Sequence, residues 1–444
     1  MYHATADMNR RSTKGAARPS SAVRCGVWLA ASLGALAGCA DDGAATTVLR
    51  VSNWGSPAVE PSFMQVEREL WAEFERRHPG VRVQIEQIPG PGQYAPKLMM
   101  MHLTGSTPDV VHLDASSAAV FMNNDVLRDL RPRLESDPDI AADQYFDAVL
   151  DVYRRDDALY AIPLDFTPMV LYYNKKLFDE AGVPYPQPGW TWDDFLHKAR
   201  MLTKPPPPGK SLPAQYGFFF ENIMPFWSPW LWSAGGDVLS PDGSRAAGFL
   251  DGPQSVGAVR FLVDLLRRHH VAPTLRESAI EGANPFLEGR AAMDLKGHWM
   301  LIDYRARGLD VGVVELPRIV DRPVTVIYAA GLAIMRKARQ PDLAWEYIKY
   351  FTSKEVQIKR LASGLAISGN RSAAERFAGT ETEDAFLRQI EHARPPWGAR
   401  VESYPFVEEL GNEMMRDLLN ADQANVEQAL RRTAKLIDAA LAGE

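Results

Sequence analysis

Tryptophan and acidic side chains occur together in the segments that connect the predicted strands and helices of this chain. The chain has eleven tryptophans among its 444 residues. An aromatic ring can stack on the apolar face of a sugar, and a carboxylate can accept hydrogen bonds from its hydroxyl groups. Loops at the ends of strands are where a small-molecule cleft collects such groups. The combination therefore predicts a binding site for a polyhydroxylated solute.

Two aspartates are the main acidic candidates for that site. Asp114 directly follows the apolar strand 110–113, and Asp165 lies between apolar neighbours, where a carboxylate needs a partner. Other interpretations stay open, because Asp114 could cap a helix and Asp165 could accept a structural hydrogen bond. Thr167 and Glu60 are further polar candidates for ligand contact. Glu60 could instead be a favourable charge in the first turn of a helix.

Four tryptophans in connecting segments are candidates to stack on the ligand: Trp54, Trp227, Trp230 and Trp397. Trp54 is followed by a glycine, which lets the backbone approach a bound molecule. The six residues 227–232 hold three tryptophans, and a helix can turn only part of its circumference to a cleft. Some of these rings must therefore pack in the core, and core packing stays the alternative for all four. Trp71 and Trp345 lie on apolar helix faces and are predicted to be core residues.

The chain lacks the patterns of several known catalytic chemistries. It has no Gly-x-Ser-x-Gly elbow and no His-Glu-x-x-His helix, and no phosphate-binding Gly-Lys-Ser/Thr follows Gly90-Pro-Gly92. A glycosidase would need two carboxylates about 5–10 Å apart, which sequence spacing does not show for Asp114 and Asp165. His269 and His270 are adjacent, so on a helix they point in different directions and would not share a metal. We expect no catalytic residue, no cofactor and no metal.

The beginning of the chain has the composition of a secretory signal. Residues 1–38 carry five basic side chains and one acidic side chain, and the fifteen residues 25–39 carry no charge. That run is shorter than the roughly 20 residues that span a membrane. The net charge of −7 argues against a nucleic-acid binder, and removal of residues 1–38 would make it −11. Residues 39–47 are mostly small and polar and are predicted to form a tether.

Hydrophobic periodicity predicts an α/β fold. Strands are predicted at 48–54, 81–85 and 107–113, with a helix between the first two that includes Leu70 and Phe74. Strand, helix and strand within about 40 residues imply a parallel sheet. Further helices are predicted at 192–202, 256–268 and 343–351, and the last part of the chain reads as mostly helical.

Five groups of segments, in order along the chain, resemble the family 1 extracellular solute-binding proteins, which are similar to maltose-binding proteins. They are Thr107-Pro-Asp-Val-Val111; Leu159–Leu164 with Leu171–Val183 and Pro188–Phe195; Ser233-Ala-Gly-Gly-Asp237; Phe286–Met293 with Gly297-His-Trp299; and Val311–Pro317 with Ala330-Gly331 and Ala344–Ser353. Leu36-Ala-Gly-Cys39 resembles the bacterial lipobox, whose cysteine receives a lipid and becomes the mature N-terminus. The chain departs from the family pattern at Ala330, where a glycine is common, and by having no proline near 364–368.

The resemblance implies a two-lobed, periplasmic-binding-protein-like fold in which each lobe is a mixed sheet flanked by helices. The chain would cross between the lobes three times, near 164–165, near 293–297 and near 330–335. Lobe one would then contain 44–163 and 297–331, and lobe two would contain 166–292 and 335–444. The ligand cleft would lie between the lobes. The resemblance also implies a stacking aromatic ring at Trp299 and a backbone contact with the ligand at Gly331.

The same resemblance implies a monomeric receptor of an ABC sugar importer. It would capture a carbohydrate, either an oligosaccharide or a polyol, and deliver it to the permease subunits. A lipid on Cys39 would hold it outside the cytoplasmic membrane. A receptor that presents its ligand to a sensor kinase stays open, as does a polyamine, phosphate ester or peptide ligand. A polyamine site would show clustered acids and a phosphate site would show arginines or helix N-termini, whereas tryptophan-rich loops favour a sugar.

Overall fold

The computed structural model describes residues 46–55, 61–89, 91–209, 213–277, 284–320, 322–362, 364, 366–421 and 425–443. The predicted signal segment 1–38 and Cys39 lie outside these residues. Within the described ranges, no α-helix combines the length and the apolar character needed to cross a bilayer.

The strands form two main sheets and one small hairpin. The strands are β1 (Thr47–Gly55), β2 (Val81–Pro89), β3 (Val110–Asp114), β4 (Arg154–Arg155), β5 (Ala158–Leu159), β6 (Ile162–Pro168), β7 (Val170–Asn174), β8 (Met293–Lys296), β9 (Val311–Val314), β10 (Thr325–Ile334), β11 (Ile367–Ser368) and β12 (Ala393–Arg394). The first sheet has the order β11-β6-β10-β3-β1-β2, with β12 paired to β10. The second sheet has the order β8-β7-β9, and β4 pairs with β5. The first sheet is mixed and the second is antiparallel, and with the helices that flank them they confirm the predicted α/β class.

Helices cover both sheets. The α-helices are α1 (Pro61–Arg77), α2 (Pro91–Thr104), α3 (Ala118–Asn123), α4 (Arg131–Ser136), α5 (Asp147–Leu150), α6 (Lys175–Ala181), α7 (Trp192–Leu202), α8 (Met224–Ser233), α9 (Pro253–Arg267), α10 (Met300–Ala306), α11 (Pro341–Thr352), α12 (Lys354–Leu361), α13 (Arg371–Ala374), α14 (Glu381–Ile390), α15 (Tyr404–Asn420) and α16 (Val426–Ala442). Short 3₁₀ helices occupy Ala142–Gln144, Asp151–Tyr153, Glu375–Phe377 and Trp397–Ala399.

The first three strands along the chain have the parallel arrangement that the sequence predicts. β1 pairs in parallel with both β2 and β3. On α1, which connects β1 and β2, Leu70 and Phe74 are four residues apart on one face, and both are buried in the core. Because the carboxyl ends of parallel strands share one edge of a sheet, Asp114 at the end of β3 lies on the edge where ligands bind in α/β proteins.

A buried carboxylate joins three distant segments at the opposite edge of the first sheet. Asp109 Oδ2 accepts a hydrogen bond from the backbone N–H of Arg50 at 2.9 Å. Its Oδ1 accepts from the N–H of Arg339 at 2.6 Å and of Gln340 at 3.0 Å. These bonds hold the beginning of α11 beside β1, while β10 itself lies antiparallel between β3 and β6.

The second sheet lies between two apolar layers because successive side chains of a strand point to opposite faces. Leu171 and Tyr173 of β7 contribute to the second hydrophobic core, whereas Val170 and Tyr172 contribute to the first. Helices α7, α8, α9, α15 and α16 supply most of the remaining side chains of the second core. The second sheet therefore packs against the first core on one face and against the second core on the other.

The segments around the predicted second crossing contribute to both sheets and both cores. The chain leaves the first sheet for the second between β6 and β7, close to the predicted first crossing at 164–165. β9, which follows β8 along the chain, also belongs to the second sheet, where it pairs with β7. The chain re-enters the first sheet only at β10. Leu301 and Tyr304 of α10, however, are buried in the first core, so the predicted crossing at 293–297 stays a prediction.

The helix that follows the predicted third crossing at 330–335 packs in the first core and not in the second. β10 stays in the first sheet as far as Ile334, and β11 adds to the same sheet beside β6. Tyr347 and Phe351 of α11 are buried in the first core. The chain reaches the second core with the helices α15 and α16. Periodicity indicated the helix at 343–351 correctly, but a single amphipathic face does not tell which sheet the helix covers.

Candidate ligand-binding site

Asp114 ends β3 with a half-buried carboxyl group at the carboxyl edge of the first sheet. Its Oδ1 accepts hydrogen bonds from the backbone N–H of Ser116, at 2.8 Å, and from the Ser116 hydroxyl group. The N-cap residue of α3 is Ser117, so Asp114 does not cap that helix. Burial raises the pKa of Asp114, while the hydrogen bonds from Ser116 lower it. Ligand contact at Asp114 stays a prediction, and the structure gives it a suitable position.

A tyrosine and a tryptophan from different segments pack together near Asp114. The rings of Tyr328, on β10, and Trp299 meet edge to face, with centroids 5.7 Å apart and planes at 87°. Both residues are half-buried. Trp299 folds over Gly297, where an added Cβ would lie 2.1 Å from the indole ring. Trp299 is thus a partly exposed aromatic residue, as its predicted stacking role requires, whereas Tyr328 was not predicted from the sequence.

The charges of three carboxyl groups act on Tyr328. Burial raises the pKa of Tyr328, and the charges of Glu408, Asp114 and Glu221 raise it further, together with Tyr404. Glu408, on α15, has a pKa raised to about 7 by burial and by the charge of Asp114. Sequence reasoning missed Glu408 because nothing in its helix distinguishes it from the exposed neighbour Glu409.

A buried lysine carries positive charge beside these acids. Lys296, at the end of β8, is 5% exposed and forms an ion pair with Glu221. Its Nζ lies 4.4 Å from the centroid of the Phe226 ring, which is a cation–π distance. Phe226 lies in the first turn of α8 and is half-buried. The aromatic side chain that α8 leaves partly accessible is therefore Phe226.

The predictions for Trp227 and Trp230 are wrong in this structure. Both are in the second core, with exposures of 0% and 1%. The ring of Trp230 has neighbours on several sides: Trp192 at 5.4 Å, Phe195 at 5.2 Å and Phe261 at 5.8 Å between centroids. Neither indole keeps a free face for a ligand, because α8 is buried along nearly all of its circumference.

Asp165 has a structural partner that the sequence did not reveal. Its Oδ2 accepts a hydrogen bond from Arg360 Nη2 at 3.1 Å, and Arg360 Nε donates to Glu67 Oε1 at 2.7 Å. Burial raises the pKa of Asp165, while the positive charge of Arg360 lowers it. The alternative interpretation of a structural hydrogen bond therefore accounts for Asp165. Its carboxyl group is still 20% exposed, and ligand contact there stays a prediction.

The hydroxyl group of Thr167 is used within the protein. It donates to the carbonyl oxygen of Pro168 at 3.0 Å and accepts from the backbone N–H of His298 at 2.8 Å. The residue is buried. These two bonds link the connection between the sheets to the segment that follows β8, so the structure contradicts a primary role of Thr167 in ligand contact.

Gly331 and Trp397 also have structural roles. Gly331 lies within β10, where a Cβ would lie 2.8 Å from Ala161 and from the ring of Tyr153. The glycine therefore makes room for a core tyrosine rather than for a ligand. Trp397 is 4% exposed and donates from Nε1 to Asp237 Oδ1 at 2.9 Å. Ligand contact through the backbone of Gly331 and through the side chain of Trp397 stays a prediction.

The remaining predicted residues cannot be placed in the site. The backbone of Trp54 pairs with Ile88 near the end of β1, but its side chain lies outside what the structure describes. Glu60 lies outside the described residues altogether. The backbone places Trp54 at the same edge of the first sheet as Asp114, since both are near the carboxyl ends of parallel strands.

The assembled site suits binding by hydrogen bonds and by aromatic packing. Acceptors come from Asp114 and Glu408, and the rings of Trp299, Tyr328 and Phe226 present apolar surface. Within the described residues, no cluster of three or more His, Cys, Asp or Glu side chains has the geometry to hold a metal ion. The site can therefore hold a ligand with both hydroxyl groups and apolar faces.

Comparison with known protein families identifies one family over most of the chain. The model of the family described as bacterial extracellular solute-binding protein matches residues 58–358. A maltotriose-binding protein from Pyrococcus abyssi is 24% identical over 318 residues, which are 69% of this chain and 64% of that protein. An arabinooligosaccharide-binding protein from Bacillus subtilis is 28% identical over 135 residues, 30% of each chain. The chain thus matches less than two thirds of the length of these relatives.

Solved structures share the fold. An ABC substrate-binding protein from Listeria monocytogenes in complex with cycloalternan superposes with a TM-score of 0.77 at 21% identity, covering 89% of this chain and 99% of that one. A cyclo/maltodextrin-binding protein in complex with maltotetraose has a TM-score of 0.72 at 20% identity, with 89% and 97% covered. At these identities the similarity establishes the fold.

Proposed function

Because this chain belongs to the family of bacterial extracellular solute-binding proteins, we propose that it is the substrate-binding component of an ABC transporter. It captures a carbohydrate, an oligosaccharide or polyol, outside the cytoplasmic membrane and delivers it to the permease subunits. The protein performs no covalent chemistry on the ligand. Its role is to bind, to close around the ligand and to release it.

The observation that carries this proposal is the edge-to-face pair of Trp299 and Tyr328 beside the carboxyl groups of Asp114 and Glu408. An aromatic surface next to hydrogen-bond acceptors complements the alternating apolar and hydroxyl-bearing surface of a sugar ring. Relatives whose names specify maltotriose and arabinooligosaccharides support the same ligand class.

The two cores support a mechanism of lobe closure. Asp114 comes from the first sheet, whereas Glu408 comes from α15, whose buried face packs in the second core. A ligand that contacts both acids interacts more strongly with the closed arrangement than with the open one. This difference in affinity is what drives closure, since a ligand shifts an equilibrium only by its differential binding.

Anchoring at Cys39 completes the proposed function. The lipobox-like segment before Cys39 supports removal of residues 1–38 and attachment of a lipid. Two or more acyl chains give stable attachment, whereas one chain is marginal. The mass of the N-terminal peptide of the protein purified from membranes tests this step: an unmodified Cys39 contradicts it.

An amine-bearing solute is a second candidate, and a specific observation favours it. The charges of three carboxyl groups, Asp114, Glu221 and Glu408, raise the pKa of Tyr328, and Lys296 forms an ion pair with one of them, Glu221. A cluster of acids with aromatic rings suits an ammonium group as well as hydroxyl groups. An amino sugar or a polyamine would use both features.

A calorimetric screen distinguishes the two candidates. We would titrate mono-, di- and trisaccharides, alditols, amino sugars and polyamines into the protein. Binding of a neutral sugar below about 100 μM, which corresponds to roughly −5.5 kcal/mol, supports the first candidate. Tighter binding of an amine with no neutral sugar bound supports the second. An amine-bearing ligand should also bind more tightly as the pH rises through about 7, because Glu408 ionises there.

A further inference from the structure

We propose that the edge of the first sheet where β1 begins docks on a bilayer surface that contains anionic phospholipids. We call this surface the tethered edge and define it by exposed residues: Val48, Arg76, Arg82, Leu103, Lys337 and Arg339. The proposal rests on the proposed acylation of Cys39. It concerns a surface remote from the candidate ligand site, which lies at the carboxyl edge of the same sheet.

Backbone contacts bring the segments of the tethered edge together. The N–H of Thr47 donates to the carbonyl oxygen of Gly80 at 2.8 Å, so the beginnings of β1 and β2 are adjacent. Lys337 Nζ donates to the carbonyl oxygen of His102 at 3.1 Å and joins the end of α2 to the turn after β10. Asp109 binds the N–H groups of Arg50 and Arg339 and connects this turn to β1.

Positive charge is concentrated at this edge although the whole chain has a net charge of −7. Six exposed basic residues lie in these segments: Arg76, Arg77, Arg82, Arg336, Lys337 and Arg339. Two of them are paired with acids, Arg77 with Glu73 and Arg336 with Asp125. The side chains of Arg76, Arg82, Lys337 and Arg339 form no ion pair within the described part of the chain. The arginines among them can therefore interact with lipid phosphates without breaking an ion pair, and Lys337 can do so while it keeps its hydrogen bond to His102.

Apolar side chains protrude among these charges. Leu103 is 74% exposed and Met100 is 60% exposed. The two residues are three apart on α2, so they lie on the same face of the helix. Val48, on β1, is also exposed. Apolar groups surrounded by arginine and lysine are typical of surfaces that enter the headgroup region of a bilayer.

The position of Cys39 in the sequence favours this edge over the far side of the protein. Seven residues separate Cys39 from Thr47, so an extended chain between them spans at most roughly 30 Å. A folded chain of this size has a radius of gyration of about 21 Å, so its far side cannot reach the bilayer by way of so short a link. A lipid on Cys39 would keep the tethered edge within a short distance of the headgroups. Electrostatic attraction is effective at such distances, because the screening length is about 8 Å at physiological salt.

Vesicle binding by the unacylated protein tests the surface by itself. The protein used is the mature chain, residues 39–444 with Cys39→Ser, since every described element lies from Thr47 onward. We expect it to partition at least about fivefold more strongly onto vesicles of 30% phosphatidylglycerol in phosphatidylcholine than onto pure phosphatidylcholine. The preference should disappear in the triple variant Arg76→Glu, Arg82→Glu, Arg339→Glu. Leu103→Ser should weaken binding by about twofold.

A triple variant on α15 and α16 serves as the matched control. Arg416, Arg431 and Lys435 are exposed and belong to the helices of the second core. Their replacement by Glu changes the net charge by the same amount and should lower binding by less than about twofold. Equal partition of the parent protein onto both vesicle types overturns the proposal. Equal losses in the two triple variants overturn it as well, because they would reflect net charge alone.

The outcome is separable from the proposed function. Ligand affinity measured by calorimetry should be the same in the parent protein and in both triple variants, since none of the changed residues lies at the candidate site. A protein that prefers anionic vesicles but binds no solute contradicts the proposed function and supports the docking surface. A protein that binds a solute but has no preference for anionic vesicles supports the proposed function and contradicts the docking surface.

Discussion

The carboxyl group of Glu408 lies close enough to that of Asp114 for the charge of Asp114 to add to the effect of burial, and together they raise the pKa of Glu408 to about 7. Glu408 comes from α15 and Asp114 from the end of β3. The two acids therefore couple a helix of the second core electrostatically to the carboxyl edge of the first sheet. The candidate site consequently changes its charge near neutral pH.

Glu408→Gln should stabilise the protein at high pH. The pKa of Glu408 is about 7 in the folded protein, against an ordinary value of 4.5, so the folded state holds this proton more tightly than the unfolded state. Ionisation of Glu408 therefore lowers the free energy of unfolding. This loss is absent below pH 4.5, grows as the pH rises and is complete above about pH 7. We expect the variant to raise the free energy of unfolding by about 1–3 kcal/mol at pH 8.5, and by almost nothing near pH 4.5. Denaturant titrations at both pH values measure this.

Glu409→Gln is the control for that experiment. Glu409 is the next residue of α15, but it is exposed. Its replacement should leave the stability of the protein within about 0.5 kcal/mol at both pH values. If the two variants have the same pH profile, the burial of Glu408 does not have the effect described.

Trp299→Ala should weaken ligand binding without a comparable loss of stability. The half-buried indole supplies one face of the aromatic pair with Tyr328. We expect the dissociation constant of the bound solute to rise at least about tenfold, or roughly 1.4 kcal/mol. Trp299→Phe should restore part of the affinity because it keeps a ring. An unchanged dissociation constant for the alanine variant removes Trp299 from the site.

Trp230→Ala should instead lower the stability of the protein with little effect on ligand binding. Its indole is buried among Trp192, Phe195 and Phe261, so truncation leaves a cavity in the second core. We expect a loss of about 3–5 kcal/mol in the free energy of unfolding. The protein that remains folded should bind the solute with nearly normal affinity. A large loss of affinity at full stability would return Trp230 to the cleft.

Arg360→Ala should destabilise the first lobe strongly. The buried guanidinium group is hydrogen bonded to both Glu67 and Asp165. Its removal leaves the buried carboxylate of Glu67 and the partly buried carboxylate of Asp165 without their cation, a change that costs about 3–5 kcal/mol. Lys359→Ala is the matched control, since Lys359 forms an exposed pair with Glu73. That pair should contribute no more than about 1 kcal/mol. Chemical denaturation of both variants checks the difference.

Gly398→Ala should be poorly tolerated. A Cβ at this position would lie 1.9 Å from the carbonyl oxygen of Ser116, and a backbone atom cannot move away as a flexible side chain can. We expect a loss of about 1–3 kcal/mol from overpacking. Gly257, within α9, has no atom within 4 Å of its added Cβ, so Gly257→Ala should instead stabilise the protein by about 0.5–1 kcal/mol. Thermal denaturation of the pair measures both effects.

The class of fold and the parallel pairing of β1 with β2 and β3 could be predicted from the sequence. Strand periodicity placed β1, β2 and β3, and the helix between β1 and β2 has its predicted core residues Leu70 and Phe74 buried. These features are local, because alternation and helical spacing act over a few residues. Lobe membership is not local. The helix with Tyr347 covers the first sheet because β10 lies there, which its own residues do not show.

The same limit explains the mixed result for the candidate site. Residue type suggested that a tryptophan of α8 would face the ligand, but Trp227 and Trp230 are buried and Phe226 is the partly exposed ring. Glu408 was missed because its surroundings come from β3, which lies far away in the sequence. Asp114 was found because it directly follows a buried strand, and that position is visible in sequence.

The placement of β10 has a consequence for biogenesis. β10 pairs with β3 on one side and with β6 on the other, yet it follows β6 by more than 150 residues of chain. Until the ribosome and the export machinery have passed that point, β3 and β6 present open hydrogen-bonding edges, which are prone to pair with other chains. We therefore expect a translocation intermediate that ends before β10 to depend on chaperones. The first sheet can be completed only after the segment that forms β10, Thr325–Ile334, has emerged.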